Sequence, residues 1–191
     1  MGIDKRDRSA IALLYLSAIR VSALTSLKVR LIDLERMTIY QNPLDGVRTK
    51  NNKSMETILL PIDELLEIMR EWNQLIINEL GVEGLWYPAL STDGLRFAKQ
   101  ENIGDIDSRN KSLRDGVKRL CYRAGIPYRS PHKFRRGHGV YAVKHSRNFE
   151  DFQAYSQNMG HEDPGTTFKY YSKLSNNDIR DVILRKSLTR M

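Results

Sequence analysis

Residues 123–136 read RAGIPYRSPHKFRR, and this stretch is the best starting point for interpreting the chain. Its two prolines restrict the residues before them, so we expect 126–131 to be extended and a helix to run from about His132 to His145. His132 and Arg135 are three residues apart, a spacing that puts both side chains on one helix face, where they could meet the same phosphate. Taken alone, the pair is more typical of an ordinary basic helix surface.

On either side of this stretch, apolar residues recur at helical spacing. They predict helices over 5–28, from Pro61 to Gly81, over 108–124, over 149–158 and, at the end of the chain, over 178–188. Within 36–60, the segments MTIY, VRTK and METILL have the character of short strands separated by polar turns. The sequence therefore predicts a mainly α fold with a small antiparallel β-sheet (α+β), and we expect 1–191 to be a single domain.

The charge distribution predicts a polyanion as partner. The formal net charge is +8, and between Arg109 and Arg147 twelve basic residues accompany one acid, Asp115. Between Glu56 and Asp107 the balance is reversed, with eleven acids and three bases. Such polarity favours binding of a nucleic-acid backbone along 109–147, with strong salt dependence. A solvated basic face is the alternative, and a membrane surface is less favoured because the basic stretch has no broad apolar stripe.

Several classes of protein are disfavoured by composition. Cys121 is the single cysteine, which excludes an internal disulfide and a cysteine-rich zinc site and fits a reducing, intracellular (cytoplasmic) compartment. We expect Cys121 to have only a packing role. No apolar run is long enough to span a bilayer. His132, His138 and His145 have no carboxylate or thiol at ligand spacing, and there is no phosphate-binding glycine loop, so we expect no metal, no cofactor and no small-molecule substrate.

Four local motifs, each weak alone, occur in a fixed order. They are Arg20 in AIRVSAL, a lysine in TKNNKS (49–54), the HKFRR segment, and MGHEDPGTTFKYY (159–171). Separately, Arg20 could be a helix residue whose charge reaches solvent, and the two final tyrosines could be core aromatics. In this order, across about 8–175, the motifs resemble the tyrosine recombinase (phage integrase) family. That family has an arginine in G-L-R-x-x-E-L, a hairpin lysine, H-x-x-R, and L-G-H followed nine residues later by a tyrosine.

The resemblance implies a catalytic site and a reaction. The nine-residue spacing from His161 selects Tyr170 over Tyr171 as the nucleophile. The implied catalytic residues are Arg20, Lys50, His132, Arg135, His161 and Tyr170. The two arginines would hold the non-bridging oxygens of the phosphate, His132 would assist proton transfer, Lys50 would protonate the leaving 5′-hydroxyl, and His161 would hydrogen-bond the phosphate. The implied function is a site-specific recombinase, or integrase, with a 3′-phosphotyrosyl intermediate that needs neither ATP nor metal.

The sequence departs from the family pattern at two places near the site. Ala23 occupies the position of an acid that is thought to steady the arginine or the histidine, so we expect reduced rather than absent activity. Lys53 competes with Lys50 as the hairpin lysine, and Lys50 is favoured because it follows Thr49. Two other functions therefore stay open: a DNA-binding protein of this fold with impaired catalysis, and a type IB topoisomerase.

The family normally has a helical core-binding domain ahead of the catalytic one. The present sequence starts almost inside the first catalytic helix, so we expect that domain to be missing from 1–191. Such a chain, a fragment or a minimal protein, would bind double-stranded DNA with modest affinity and weak specificity. The resemblance also implies a tetramer on DNA. The helix over 178–188 would dock on a neighbouring subunit or, equally, pack on its own domain.

Overall fold

The computed structural model describes residues 2–91, 96–98 and 104–161, together with Asp163, Gly165, Thr166, Lys169, Arg180 and Leu184. Its helices are α1 (Gly2–Ser17), α2 (Val21–Leu24), α3 (Asp63–Leu80), α4 (Ile106–Arg123), α5 (Pro131–His145) and α6 (Phe149–Asn158). The strands β1 (Ile32–Asp33), β2 (Thr38–Gln41) and β3 (Met55–Ile58) form one antiparallel sheet in the order β1-β2-β3. The predicted class, mainly α with a small antiparallel sheet, is confirmed.

Helix α1 lies at the centre of the fold and packs against α3, α4 and α5. Its leucines Leu13 and Leu14 are completely buried. On α3, the buried Trp72 meets Trp86 edge-to-face with 6.3 Å between ring centroids, and its indole N–H donates to the Trp86 carbonyl at 2.9 Å. Satisfied aromatic contacts of this kind give a rigid core. The end of α1 is therefore a fixed base for the segment that follows it.

A buried group of charged residues, here called the Asp7 cluster, joins α1 to α4. It consists of Arg6, Asp7, Tyr87 and Arg119. Both Arg6 and Asp7 are about 1% exposed, and Asp7 accepts hydrogen bonds from both arginines and from the Tyr87 hydroxyl. The Arg6 guanidinium also lies 4.4 Å from the centre of the Tyr87 ring. Burial raises the pKa of Tyr87, so the phenol keeps its proton and remains a donor.

The sheet exposes β3 at one edge, and a side chain closes that edge. Strand β2 pairs with both neighbours, with Ile39 opposite Thr57 of β3. At the outer side of β3, the Ile58 N–H donates to the Asn158 side-chain oxygen at 2.7 Å. The Asn158 side-chain nitrogen in turn donates to the Ile58 carbonyl at 2.9 Å. The end of α6 is thereby fixed to the sheet.

The single helix predicted over 5–28 is wrong, because the chain leaves helical geometry between α1 and α2. Ala18 has a positive φ of 53°, and Arg20 is extended at the N-cap of α2. The Ser17 hydroxyl accepts from the Ile19 N–H at 3.2 Å, and the Ala18 carbonyl accepts from Arg135 at 2.8 Å. These bonds stabilise a break that residue propensities alone do not indicate. The break moves Arg20 off the helix surface.

The strand predicted at VRTK is also wrong. Residues 42–54 form an irregular connection between β2 and β3, with 3-10 turns at Pro43–Asp45 and Lys50–Asn52. The Val47 side chain is buried, and the Arg48 N–H donates to the Ser26 hydroxyl at 2.8 Å instead of to a strand. Tertiary contacts thus override the β-propensity of this segment. Strand β1 is an element that the sequence did not indicate.

Helices α3 to α6 agree with the predicted ranges to within two residues at each end. Helix α3 ends at Gly81, which has a φ of 70°, as expected for a glycine stop. Residues 126–130 form no regular element, and Cys121 is buried and free, consistent with a packing role. The final helix predicted over 178–188 lies outside the described residues except for Arg180 and Leu184. None of the helices in the described part combines the length and hydropathy needed to cross a membrane.

The basic run over 109–147 does not act as one DNA-facing surface, and this expectation needs correction. At least five of its twelve basic side chains bind groups of the protein itself: Arg109, Lys111, Arg119, Arg123 and Arg135. Arg119 and Arg123 pair with acids on α1, so they hold two helices together. Counting charges along the sequence could not separate these structural arginines from those that face a ligand.

Candidate anion site

Four separate segments of the chain meet at a cleft of about 510 Å³. They are the break between α1 and α2, the connection between β2 and β3, the start of α5, and the residues after α6. The lining residues are Ile19, Arg20, Val21, Lys50, Pro131, His132, Lys133, Arg135, Arg136, His161 and Thr166. Five of the six predicted catalytic residues are therefore brought together. Tyr170, the sixth, lies outside the described residues.

Arg135 is the anchor of the cleft. It is only 6% exposed, so its charged guanidinium requires hydrogen-bond partners inside the protein. One terminal nitrogen donates to the Ala18 carbonyl at 2.8 Å, and the other donates to the Met159 carbonyl and lies 3.0 Å from Nε2 of His161. Arg135 thus connects the segment that carries Arg20 with the segment that carries His161. Its position depends on both.

Arg20 owes its position to the short helix that it precedes. Its backbone is extended, with φ −74° and ψ 147°, and its carbonyl accepts from the Leu24 N–H at 2.9 Å. The side chain is half-buried and lines the cleft. Because the chain enters helical geometry only after Arg20, the orientation of α2 determines where this guanidinium points.

His161 follows a glycine that no other residue could replace without a shift. Gly160 has a φ of 68°, and a Cβ there would come 2.8 Å from the sulfur of Met55. Burial, together with the positive charges of Arg135, Arg20 and Lys50, lowers the pKa of His161 to about 4. The imidazole is neutral at pH 7. Because a guanidinium only donates, Nε2 accepts from Arg135 and Nδ1 carries the proton.

Lys50 and His132 line the cleft from exposed positions. Lys50 begins the 3-10 turn Lys50–Asn52, whose Asn51 has a left-handed backbone. Between the two candidate lysines, Lys50 is a lining residue, whereas Lys53 is not among the lining residues in the described part of the chain. His132 belongs to the first turn of α5 together with Pro131 and Lys133, which also line the cleft.

The N-terminus of α5 differs from those of the neighbouring helices. Helices α4 and α6 are capped by the side chains of Asp105 and Asn148 and have acids in their first turns. Helix α5 has Pro131 at its start, and within the described part of the chain its first turn has no acid and its N-cap, Ser130, makes no side-chain cap bond. The positive end of the α5 dipole therefore faces the cleft, a geometry that favours an anion.

The lining combines five lysine or arginine side chains with two imidazoles, and none of the described lining residues is acidic. Among the polar lining residues, Lys133, Arg136 and Thr166 were not predicted as site residues from the sequence. For Lys133 and Arg136, the only signal in the sequence is their adjacency to His132 and Arg135. Within the described residues, no group of three or more His, Cys, Asp or Glu side chains could hold a metal ion. Fold and lining together define a cationic cleft on a mainly helical domain, with a composition suited to an anionic ligand.

The sequence matches the Phage integrase family over residues 2–177, and the chain belongs to this family. It is 27% identical over 171 residues to the tyrosine recombinase XerC of Lactobacillus leichmannii, covering 86% of the present chain and 50% of that protein. The XerA recombinase structure superposes with a TM-score of 0.66 at 19% identity, covering 96% of this chain and 57% of that one. The Tn1549 transposon integrase in complex with transposon right-end DNA gives a TM-score of 0.56 at 17% identity, covering 93% and 57%. The chain spans about half the length of these relatives.

Proposed function

We propose that this chain is the catalytic domain of a site-specific DNA recombinase that cleaves and rejoins strands through a 3′-phosphotyrosyl link at Tyr170. The observation that carries the proposal is the convergence of Arg20, Lys50, His132, Arg135 and His161 on one cleft. These residues come from distant parts of the sequence. A purely structural role for each would not require them to share an open cavity without a described acidic lining residue.

In the proposed reaction, the scissile phosphate occupies the cleft. Its negative charge grows on the non-bridging oxygens as phosphorus becomes five-coordinate, and the guanidiniums of Arg20 and Arg135 stabilise that charge. Arg135 is already fixed by two backbone carbonyls, so little reorganisation accompanies the reaction. His161, neutral in the free protein, donates a hydrogen bond from its Nδ1–H to the phosphate and keeps the proton.

The proton transfers balance in both directions. The Tyr170 hydroxyl loses its proton to His132 as its oxygen bonds to phosphorus, because a phenol with an ordinary pKa of about 10 is a weak nucleophile. The bond from phosphorus to the 5′-oxygen breaks, and Lys50 protonates that oxygen. In rejoining, the 5′-hydroxyl attacks the phosphotyrosine and the protons return. The energy of the broken bond is conserved in the new one, so ATP is not required.

Double-stranded DNA is the proposed partner, and the charged cleft and the exposed α5 dipole support it. The Tn1549 integrases to which this chain is similar were solved in complex with DNA. A tetramer on DNA, with the segment 178–188 docked on a neighbouring subunit, completes the proposal. Small molecules and membranes are not proposed as ligands.

The test is a covalent-adduct assay with a DNA duplex that carries a nick close to the cleavage site. Release of the short fragment prevents rejoining, so the native chain should accumulate a protein–DNA band that survives denaturation. Tyr170→Phe should abolish the band, while Tyr171→Phe, the matched control one residue away, should retain it. Arg135→Lys should reduce it by about 100-fold or more, because a lysine cannot reproduce the paired guanidinium bonds.

Each other outcome has a defined meaning. DNA binding with no adduct over a range of salt concentrations would contradict the proposal and favour a DNA-binding protein with impaired catalysis, for which the buried Ala23 is the specific observation. An adduct that persists in Tyr170→Phe would show that another tyrosine is the nucleophile. Relaxation of supercoils without exchange between two sites would identify a type IB topoisomerase.

A further inference from the structure

The family pattern that this chain resembles has an acid three residues after the first arginine, and here that residue is Ala23. Ala23 is about 1% exposed and lies in the apolar core, so it offers no polar contact to Arg20. The orientation of α2, which determines where Arg20 points, must therefore be fixed by other groups. A polar contact network on the opposite side of α2 supplies them.

Asn110 of α4 forms hydrogen bonds with two side chains of the α2 segment. Its side-chain nitrogen donates to the Ser22 hydroxyl at 3.1 Å, and its side-chain oxygen accepts from the Thr25 hydroxyl at 2.7 Å. Asn110 is 5% exposed and Thr25 is completely buried. One amide thus holds both a residue within the four-residue helix and the residue that caps its C-terminus. A helix of one turn has little stability of its own, so these contacts fix its orientation together with the burial of Ala23 and Leu24.

Two further hydrogen bonds connect the α2 segment to its neighbours. Arg109, next to Asn110 on α4, donates from Nε to the Thr25 carbonyl at 3.1 Å. The Ser26 hydroxyl accepts from the Arg48 N–H at 2.8 Å, and Arg48 is two residues before Lys50. The turn that Asn110 fixes is therefore connected through the backbone to both Arg20 and Lys50.

On the basis of the proposed function, we propose that Asn110 is the positioning residue for Arg20 and replaces the carboxylate that the family pattern has at Ala23. The exchange has a chemical consequence. A carboxylate beside Arg20 would cancel part of the positive charge of the cleft, whereas an amide orients the same segment and adds no charge. The amide of Asn110 therefore takes no positive charge away from the cleft.

The first test measures the position of Arg20 without relying on cleavage. Binding of inorganic phosphate to the cleft is followed by nuclear magnetic resonance of the His161 ring, whose pKa should rise when an anion binds. Asn110→Ala should weaken phosphate binding about tenfold, because Arg20 is no longer held toward the cleft. In an Arg20→Ala background the same substitution should have no further effect, since two residues that act through one contact are non-additive.

Controls separate positioning from general destabilisation. Val117→Ala, on the same helix α4 and equally buried, removes apolar packing but no polar contact to α2. It should lower the melting temperature and leave phosphate affinity within twofold. Asn110→Asp keeps an acceptor for Thr25, and its second oxygen can accept from Ser22, so its affinity should lie between those of Asn110→Ala and the native chain, because the added negative charge offsets part of the restored orientation. If Asn110→Ala changes affinity no more than Val117→Ala, or if its effect persists undiminished without Arg20, the proposal is overturned.

The second readout is the rate of adduct formation with all DNA bound. Asn110→Ala should slow it about tenfold to a hundredfold, and an unchanged rate in a chain that does form adducts would also overturn the proposal. If the native chain forms no adduct at all, the proposed function fails, but the phosphate measurements still decide the role of Asn110. The two failures are therefore distinguishable.

Discussion

The Asp7 cluster and the anion cleft both concentrate arginines, but they differ in what neutralises the charge. In the Asp7 cluster the Asp7 carboxylate lies between Arg6 and Arg119, and the Arg6 and Asp7 side chains are buried. In the cleft, Arg135 is held by backbone carbonyls and an imidazole, and the described lining contains no acid. The first arrangement stabilises the fold, whereas the second leaves the charge for a ligand.

A count of basic residues is therefore not a measure of nucleic-acid affinity. Arg119 and Arg135 belong to the same basic run of the sequence, yet Arg119 pairs with an acid of α1 and Arg135 lines the cleft. Loss of the Asp7 carboxylate should destabilise the fold, whereas loss of a bound anion should leave the fold around the cleft unchanged. Measurements of folding stability can test this distinction.

Asp7→Asn should have the largest effect. It leaves the Arg6 guanidinium buried without its counter-charge, and breaking a buried pair in this way costs about 3–5 kcal/mol. Since a domain of this kind is stable by only about 5–15 kcal/mol, urea unfolding should shift to a much lower midpoint. Asp115→Asn is the matched control, because the Lys111–Asp115 pair on α4 is exposed and should contribute less than about 1 kcal/mol. Equal midpoints for the two variants would contradict a structural role for the Asp7 cluster.

Gly116→Ala should have the next largest effect. A Cβ at Gly116 would lie 2.7 Å from the carboxylate of Asp7, so the substitution must displace a buried charged group. We expect a loss of about 1–3 kcal/mol in the free energy of unfolding. Gly137→Ala on α5 is the control, since a Cβ there meets nothing within 4 Å and the added helix propensity should stabilise by about 0.5–1 kcal/mol. Opposite signs for the two glycines are the expected result, and a stabilising Gly116→Ala would be inconsistent with the packing described.

The smallest effect concerns pH and belongs to the cleft. The pKa of His161 is about 4 in the folded chain, below its ordinary value of 6.5, and burial also lowers the pKa of His138. Between pH 6.5 and 4 the unfolded chain binds protons more readily than the folded one, so the free energy of unfolding should fall as pH decreases through this window. His161→Gln should flatten part of that slope. Adding inorganic phosphate should raise the pKa of His161 in the folded chain, narrow this window from its lower end and so reduce the slope of the native chain, while leaving that of His161→Gln unchanged; a slope insensitive to both changes would mean that His161 does not sense the cleft.

Much of the site was predictable because its residues occur in motifs of fixed order and spacing. The H-x-x-R pair at the start of α5 depends only on helical periodicity and proline placement, and both were as expected. The break after Ser17 was not predictable, because it depends on Arg135, a residue 117 positions away from Ala18. No local window of sequence contains both partners.

The connection from 42 to 54 shows the same limitation in another form. VRTK has the composition of a strand, but the burial of Val47 and the bond from Arg48 to Ser26 favour an irregular path. The Asp7 cluster was missed for a different reason. An acid in the first turns of an N-terminal helix is typical of a solvated surface, and only the folded arrangement with α4 shows that Asp7 is buried.

The bidentate amide contact of Asn158 with Ile58 has a consequence for self-association. An open strand edge presents unpaired N–H and C=O groups that can recruit a strand from another molecule. Asn158 occupies one such pair with a side chain that cannot continue the ladder, so β3 is a poor template for edge-to-edge growth. Replacing it with alanine would expose a short β-edge, and the chain would then be more prone to aggregate at high concentration.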